Sequence, residues 1–154
     1  MEIKIVKGTA EHADACLSIA KELMQYFNEK AIEILTEDLH QYSFYVAISV
    51  DNVVGFVTIE TKNKNVAEIS WMAVRYGWQH QGIGASLINY IVNDLKPHGI
   101  KLLTVKTLSN DADYPPYEAT RQFYEKMGFI HIETINPYPG WEPGNPCAIY
   151  IKIL

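Results

Sequence analysis

The feature that most constrains this chain is an abrupt change of pattern between residues 66 and 95. The run 66–74 is apolar and rich in β-branched residues, as buried strands are, whereas 83–95 repeats its apolar residues with helical spacing. Gly82 and Gly84 stand one residue apart at the junction. The sequence therefore predicts a strand that turns directly into a helix at a pair of glycines.

Two interpretations of these glycines remain open. A helix N-terminus presents unpaired backbone N–H groups and a partial positive charge, and glycine lets a phosphate approach them closely. Gly82 and Gly84 would then admit a pyrophosphate, but they would equally well serve a tight turn alone. The spacing excludes a Walker A loop, because no Lys-Ser/Thr pair follows, and excludes GxGxxG, because Leu87 occupies the third glycine position.

The remaining pattern predicts an α/β fold with the element order β-α-α-β-β-β-α-β-α-β-β. Two helices are expected between residues 10 and 41 with a break near Asn28, and strands 43–50 and 52–61 are expected to be joined at Asp51 and Asn52. Gly128 is expected to cap the last helix. We therefore predict a single mixed, mostly antiparallel sheet flanked by helices.

Length and composition narrow the class of protein. The chain has 154 residues, of which 48% are hydrophobic and 20% are charged, so we predict a single domain over residues 1–154. A net charge of −5 argues against nucleic-acid binding. The sequence has neither a signal-peptide pattern nor a membrane-length apolar run, so we expect a cytoplasmic protein. The scattered cysteines and histidines predict neither a disulfide framework nor a metal site.

Three further features make the chain resemble a known family. The segment Gln79-His80-Gln81-Gly82-Ile83-Gly84 resembles the Gln/Arg-x-x-Gly-x-Gly/Ala motif of the GNAT superfamily of acyl-CoA-dependent N-acetyltransferases. The run 119–129, "ATRQFYEKMGF", is similar to that family's Phe/Leu-Tyr-x-Lys-x-Gly-Phe signature, and the predicted element order is the family's order. The resemblance covers essentially the whole chain, and it implies acetyl transfer from acetyl-CoA to a primary amine, with no metal.

The resemblance also implies roles for two side chains. Glu68 lies on the strand where the histone acetyltransferase branch carries its general base, although a water chain or a solvated, inactive carboxylate is also compatible with the sequence. Tyr124 matches the family's general acid, which protonates the departing thiolate, and a phenol is protonated at neutral pH. Packing beside Phe123 and Phe129 is the alternative interpretation of Tyr124.

The expected cofactor contacts follow from the same resemblance. The end of the strand before the glycines would pair its backbone with the pantetheine arm, with a bulge between Ser70 and Met72, and the glycine loop would hold the pyrophosphate. An Asx turn at Asn110 and a helix-start aromatic contact at Tyr117 are the structural alternatives for those two positions. The predicted cofactor-binding residues are Met72, Ala73, Val74, Gln79, His80, Gln81, Gly82, Ile83, Gly84, Ala85, Asn110, Tyr117 and Phe123.

The acceptor is left open by the sequence. Aromatic residues in the segments that form acceptor pockets in this family could receive an amine by cation–π contact, and nearby carboxylates could pair with it, but ordinary packing is an equally simple account. A small-molecule or peptide amine is expected as substrate, and a homodimer is compatible with the sequence. Two alternatives remain, namely a non-catalytic acyl-CoA-binding sensor module and an unrelated nucleotide-binding protein. The aromatic residues that could contact the acceptor amine are Tyr26, Phe27, Trp71, Tyr76, Trp78, Tyr114, Tyr138 and Trp141.

Overall fold

A computed structural model describes residues 2–154, and Met1, the first residue of the predicted domain, lies outside them. The predicted element order is confirmed. Four helices and seven strands are found among these residues: β1 (Lys4–Lys7), α1 (Ala13–Glu22), α2 (Glu29–Gln41), β2 (Ser43–Ser49), β3 (Asn52–Thr61), β4 (Val66–Val74), α3 (Ile83–Leu95), β5 (Leu102–Leu108), α4 (Tyr117–Lys126), β6 (Ile130–Ile135) and β7 (Cys147–Ile153).

The seven strands form one mixed sheet in the order β1-β2-β3-β4-β5-β7-β6, which confirms the predicted fold class. The chain divides into two compact units, each described separately below. The first unit comprises the chain up to Glu60 together with Ile69–His98, and the second comprises Thr61–Glu68 and Gly99–Leu154. The assignment of residues 1–154 to one domain remains a prediction.

The first unit buries the inner faces of α1 and α2 against its strands. Its core includes Ile19, Leu35 and Phe56, none of which exposes any surface. The predicted break between the helices is confirmed at Asn28, whose side chain accepts a hydrogen bond of 2.9 Å from the Ala31 N–H and so caps α2. The break exists because a capping side chain satisfies a backbone donor that the helix itself cannot.

The hairpin between β2 and β3 corrects one prediction. The strands were expected to join at Asp51 and Asn52, but β2 ends at Ser49 and Val50 and Asp51 form the turn with positive φ angles of 45° and 66°. Two successive left-handed residues give the turn the twist that a two-residue hairpin requires. Asp51 tolerates this conformation readily, whereas a β-branched valine does not, and Val50 is 87% exposed.

The second unit is built on β5, β7 and β6. Antiparallel pairing aligns Leu102 with Ile153 on β5 and β7, and Ile130 with Ile151 on β6 and β7. Gly128 has φ 90° directly after α4, which confirms the predicted left-handed helix end. α4 therefore stops where the sequence predicts, and β6 begins two residues later.

Two searches of residues 2–154 gave negative results. No helix within this range has the length and hydrophobicity needed to cross a bilayer. The same residues contain no group of three or more His, Cys, Asp or Glu side chains arranged to hold a metal ion.

Candidate functional site

The glycine loop of the first unit leaves the start of α3 open. Gly82 adopts a left-handed conformation with φ 82° and precedes the first helical residue, Ile83, without providing a side-chain cap. The Ser86 N–H donates to the Gly82 carbonyl at 3.0 Å, so the earlier N–H groups of the first turn precede the helical hydrogen-bond ladder. A Cβ on Gly82 would meet nothing within 4 Å. Glycine is therefore needed here for backbone conformation, and space remains beside it.

The residues before Gly82 shape the loop through side-chain contacts with backbone. Gln79 Nε2 donates to the Val74 carbonyl at 3.0 Å, and Gln81 Nε2 donates to the Gly77 carbonyl at 3.4 Å. His80 has φ 62°, an uncommon value for a residue other than glycine. The segment predicted to hold a pyrophosphate is thus a defined turn rather than an extended connection.

Arg75 fixes the point where β4 leaves the sheet, and sequence reasoning did not identify it. Its backbone N–H donates to the Val54 carbonyl at 2.8 Å, and its guanidinium forms an ion pair with Glu22 at the end of α1. A second contact reaches the Val53 carbonyl at 3.4 Å. Because Glu22 lies 53 positions away, no local pattern could have indicated this pair.

The strand end predicted to contact the cofactor lies in the same unit as the loop. Ala73 is buried, while Met72 and Val74 are half-buried. The Ser70 hydroxyl, on the same strand, is buried and has no hydrogen-bond partner among residues 2–154. An unpaired buried hydroxyl is uncommon in folded proteins. The bulge expected between Ser70 and Met72 remains a prediction.

Glu68, the predicted base, is buried in the second unit and is only 8% exposed. This burial contradicts the alternative in which Glu68 is a solvated carboxylate on the strand surface. Its Oε1 accepts a hydrogen bond of 2.7 Å from Lys106 Nζ and a longer one of 3.4 Å from the Thr104 hydroxyl. Its Oε2 lies 3.7 Å from Lys62 Nζ. Glu68 is therefore the centre of a buried charge cluster.

Lys106 joins Glu68 to the loop before β7. Its ammonium lies 5.3 Å from the centre of the Tyr138 ring, close enough for a cation–π contact. Desolvation lowers the pKa of Lys106, but hydrogen bonds to Glu68 and Tyr138 outweigh it, so that the pKa lies above its ordinary value of 10.5. Lys106 is consequently a cation at neutral pH.

Tyr124, the predicted acid, is buried within an aromatic group of the second unit. Its ring makes edge-on contacts with Phe123 at 5.3 Å and Phe129 at 5.2 Å between ring centres. Burial raises the pKa of Tyr124 above its ordinary value, so that the hydroxyl keeps its proton at neutral pH. This state suits an acid, and the packing that the sequence offered as an alternative is also present.

The other predicted cofactor residues of the second unit lie between β5 and α4. Asn110 is exposed, and the turn there is made by Ser109, whose hydroxyl accepts a hydrogen bond of 3.1 Å from the Asp111 N–H. Tyr117 begins α4 and its ring lies 5.8 Å from that of Tyr114. Phe123 is half-buried beside Tyr124. In place of the Asx turn, which was the structural alternative for Asn110, the structure has a serine turn one residue earlier.

Two aromatic groups lie in the segments predicted to bind the acceptor. In the first unit, the Trp71 indole donates to Asp38 at 2.8 Å and its ring lies 5.5 Å from that of Phe27. In the second unit, Tyr138 and Trp141 meet edge to face at 5.7 Å. In each group a large ring therefore packs against a second aromatic side chain.

Comparison with known proteins identifies a family. Residues 40–131, more than half of the chain, match the model of the acetyltransferase (GNAT) domain. No curated protein sequence matches the chain significantly.

Many solved structures share the fold, and three illustrate it. A GNAT family acetyltransferase from Elizabethkingia anophelis with acetyl-CoA bound is 21% identical, with a TM-score of 0.73 over 99% of this chain and 98% of that one. The PaiA N-acetyltransferase from Thermoplasma acidophilum in complex with coenzyme A is 18% identical, with a TM-score of 0.78 over 100% of both chains. The ribosomal-protein-S18-alanine N-acetyltransferase from Escherichia coli is 17% identical, with a TM-score of 0.77 over 99% and 94%. At these identities the likeness establishes the fold alone.

Proposed function

The chain belongs to the GNAT acetyltransferase family, and we propose that it transfers the acetyl group of acetyl-CoA to a primary amine of a small molecule or peptide. We assign residues 1–154 to one catalytic domain, with acetyl-CoA as cosubstrate. The amine nitrogen attacks the acetyl carbonyl directly, the carbon–sulfur bond breaks, and coenzyme A leaves as the thiol.

The observation that carries this proposal is the open start of α3. Gly82 opens the helix without a side-chain cap, and the space where its Cβ would lie is empty. A pyrophosphate can therefore approach the first-turn N–H groups and the positive end of the helix dipole. Gln79, His80, Gln81, Ile83, Gly84 and Ala85 complete this proposed contact surface. Met72, Ala73 and Val74 are proposed to hydrogen-bond the pantetheine arm through their backbone.

We assign the proton-accepting role to Glu68. An alkylammonium with a pKa near ~10 is mostly charged at neutral pH and must lose a proton before it can attack. Glu68 is a buried carboxylate that Lys106 contacts at 2.7 Å, and we propose that it accepts this proton directly or through water.

Tyr124 is the proposed acid. Its burial keeps the hydroxyl protonated at neutral pH, so it has a proton to donate to the departing thiolate. Phe123 and Phe129 orient the ring from two sides. Asn110, Tyr117 and Phe123 are proposed to contact the cofactor from the segment between β5 and α4.

The acceptor is proposed by analogy with related proteins. One of the structural relatives carries the name of an alanine N-acetyltransferase acting on a ribosomal protein, so a peptide amine is within the range of this fold. The Trp71 ring, which is held by a hydrogen bond to Asp38, supports an acceptor with a cationic amine. We further propose a cytoplasmic location and a homodimer, whose molar mass light scattering would measure in solution.

A thiol-release assay tests the proposal. The protein is incubated with acetyl-CoA and a panel of primary amines that includes diamines, amino acids and short peptides, and free coenzyme A is measured together with the mass of each amine. We expect stoichiometric thiol release and an acetylated amine for at least one member. Tight acetyl-CoA binding without turnover of any amine would instead indicate the sensor module.

A further inference from the structure

Glu68 binds its neighbours unequally through its two carboxylate oxygens. Oε1 receives both hydrogen bonds, from Lys106 at 2.7 Å and from Thr104 at 3.4 Å. Oε2 forms an ion pair with Lys62 at 3.7 Å, beyond hydrogen-bond distance, and accepts no hydrogen bond from residues 2–154. One oxygen is therefore engaged by the protein, while the other retains lone pairs that can accept a proton.

Two opposing effects act on this carboxylate. Burial favours the protonated form, which cannot serve as a base, because a charge is costly to remove from water. A cation at hydrogen-bond distance favours the ionised form. Lys106 makes this contact from β5, 38 positions along the chain from Glu68. Its side chain is only 22% exposed, so solvent screens the pair weakly.

The groups around the pair come from several elements. Lys62 approaches Glu68 from the turn before β4, and Tyr138 contacts Lys106 from the loop before β7. The buried thiol of Cys147, on β7, lies close enough to feel both charges, since Lys106 lowers its pKa and Glu68 raises it. Among these groups, Lys106 makes the shortest contact with the carboxylate.

We propose that Lys106 is a positioning residue for Glu68: it holds Oε1 by a hydrogen bond and supplies the nearest positive charge, while Oε2, which accepts no hydrogen bond from residues 2–154, takes a proton from the acceptor amine. Lys106 itself neither donates nor receives the transferred proton. This inference rests on the proposed function for its catalytic consequence, whereas its electrostatic part concerns the resting protein alone.

The test combines a titration with a pH–rate profile. Protein labelled with ¹³C at the glutamate carboxyl carbon is titrated by NMR, and the Glu68 signal is assigned by its loss in Glu68→Gln. In Lys106→Met we expect the midpoint to rise by about 1–3 pH units, since an opposite charge at this distance has been removed. The acidic limb of the profile of kcat against pH should move to higher pH by the same amount.

Four further variants separate the effect of charge from that of structure. Lys106→Arg should restore the midpoint and the acidic limb, whereas Lys106→Gln, which keeps a donor without charge, should not. Lys62→Met should move the midpoint less than Lys106→Met, because Lys62 is farther away and more exposed. If Lys106→Met fails to fold, Lys106→Gln takes its place in this comparison. Lys152→Met is the matched control, since Lys152 donates to the Met127 carbonyl at 2.6 Å and lies outside the cluster.

Three outcomes would overturn the inference: an unchanged midpoint in Lys106→Met, an equal shift in Lys152→Met, or a shift in Lys62→Met at least as large as the one in Lys106→Met. If the wild-type protein acetylates no amine, the proposed function fails, and the NMR midpoint still decides whether Lys106 controls Glu68. The double variant Glu68→Gln/Lys106→Met should be no slower than Glu68→Gln. A further loss of activity would show that Lys106 acts without Glu68.

Discussion

The candidate phosphate-binding segment of the first unit is made of backbone, whereas the candidate proton-transfer groups of the second unit are side chains. The start of α3 presents N–H groups beside Gly82, where a Cβ would meet nothing within 4 Å. Glu68 and Tyr124 are instead enclosed, one by lysines and the other by aromatic rings. The first arrangement suits binding of a phosphate, and the second suits proton transfer.

This difference determines which kind of substitution removes the function of each part. A backbone site is blocked when a side chain is added, because the N–H groups themselves cannot be removed by substitution. A side-chain site is broken when a functional group is deleted and its ring or carbon frame is kept. Substitutions in the first unit should therefore affect binding, and conservative substitutions in the second should affect turnover.

The largest effect expected in the second unit is that of Tyr124→Phe. Loss of the hydroxyl should lower kcat by roughly tenfold or more, within the usual range for acid catalysis. The melting temperature should change little, since phenylalanine preserves the edge-on contacts with Phe123 and Phe129. Steady-state kinetics and calorimetry measure the two quantities.

Tyr150→Phe is the control for this experiment. Tyr150 is also a buried tyrosine of the second unit, with its ring 5.1 Å from that of His131, and its variant should keep the wild-type kcat. A Tyr124→Phe enzyme with unchanged kcat would assign Tyr124 to packing and remove the acid from the second unit.

The responses of the two buried cysteines to pH allow the two units to be compared. Burial raises the pKa of Cys16, in α1, to about 12, although a backbone hydrogen bond acts to lower it. Burial also raises the pKa of Cys147, in β7, to about 11, where Lys106 lowers it and Glu68 raises it. As the pH rises above 9 we expect iodoacetamide to label Cys147 before Cys16, as followed by mass spectrometry of native protein. The reverse order would contradict the assigned surroundings of the two thiols.

The same thiols predict a loss of stability at alkaline pH. Both pKa values lie above the ordinary value of 9.0, so the folded state retains protons that the unfolded state releases. Stability is then fully present below pH 9 and falls as the pH rises toward the folded values, by roughly 1.4 kcal/mol per pH unit and thiol. Denaturant unfolding between pH 8 and 10.5 measures this slope, and a flat profile would exclude it.

The smallest effect is expected at the β2–β3 turn of the first unit. Val50 adopts φ 45° while 87% exposed, a conformation that asparagine accepts more readily than valine. Val50→Asn should raise the free energy of unfolding by about 1 kcal/mol without changing acetyl-CoA affinity. Val53→Asn, at a buried position of the same hairpin, should lower it. A destabilised Val50→Asn protein would contradict the left-handed assignment.

The sequence was sufficient where a local pattern carries the structure. The break at Asn28 and the end of α4 at Gly128 each depend on one residue with a specific capping property, and both are found as predicted. The fold class follows from the order of such segments. The turn at Val50 was misplaced because valine strongly favours strands and gives no local signal for a left-handed residue.

The sequence was insufficient where contacts join distant segments. Glu68 was identified as a candidate base by resemblance, but neither its burial nor its pairing with Lys106 was predicted. The available signal was a lysine in the middle of the apolar run 102–108, which needs a partner if that strand is buried. The identity of the partner depends on strand pairing, which single-sequence patterns do not specify. The same limit hid the pairing of Arg75 with Glu22.

The most direct test of the account is acetyl-CoA binding by Gly84→Asp. Gly84 lies in the first turn of α3, where a new carboxylate would oppose a bound phosphate by bulk and by charge. An aspartate near a helix N-terminus is otherwise tolerated or stabilises by about 0.3–1 kcal/mol, so the variant should fold. Gly77→Asp is the matched control, because it adds the same charge five residues before Gly82, the N-cap of α3, and a Cβ on Gly77 would meet nothing within 4 Å.

Titration calorimetry and thermal shift then give the decisive comparison. We predict that Gly84→Asp has wild-type stability without ligand and shows no measurable acetyl-CoA binding. We also predict a loss of activity that added amine does not reverse. Gly77→Asp and the wild-type protein should both bind, with a stabilisation of about 2.7 kcal/mol at a ligand concentration of 100 times Kd. A folded Gly84→Asp protein that binds acetyl-CoA as the wild type does would contradict the assignment of the glycine loop to the pyrophosphate, and with it the proposal of acetyl transfer.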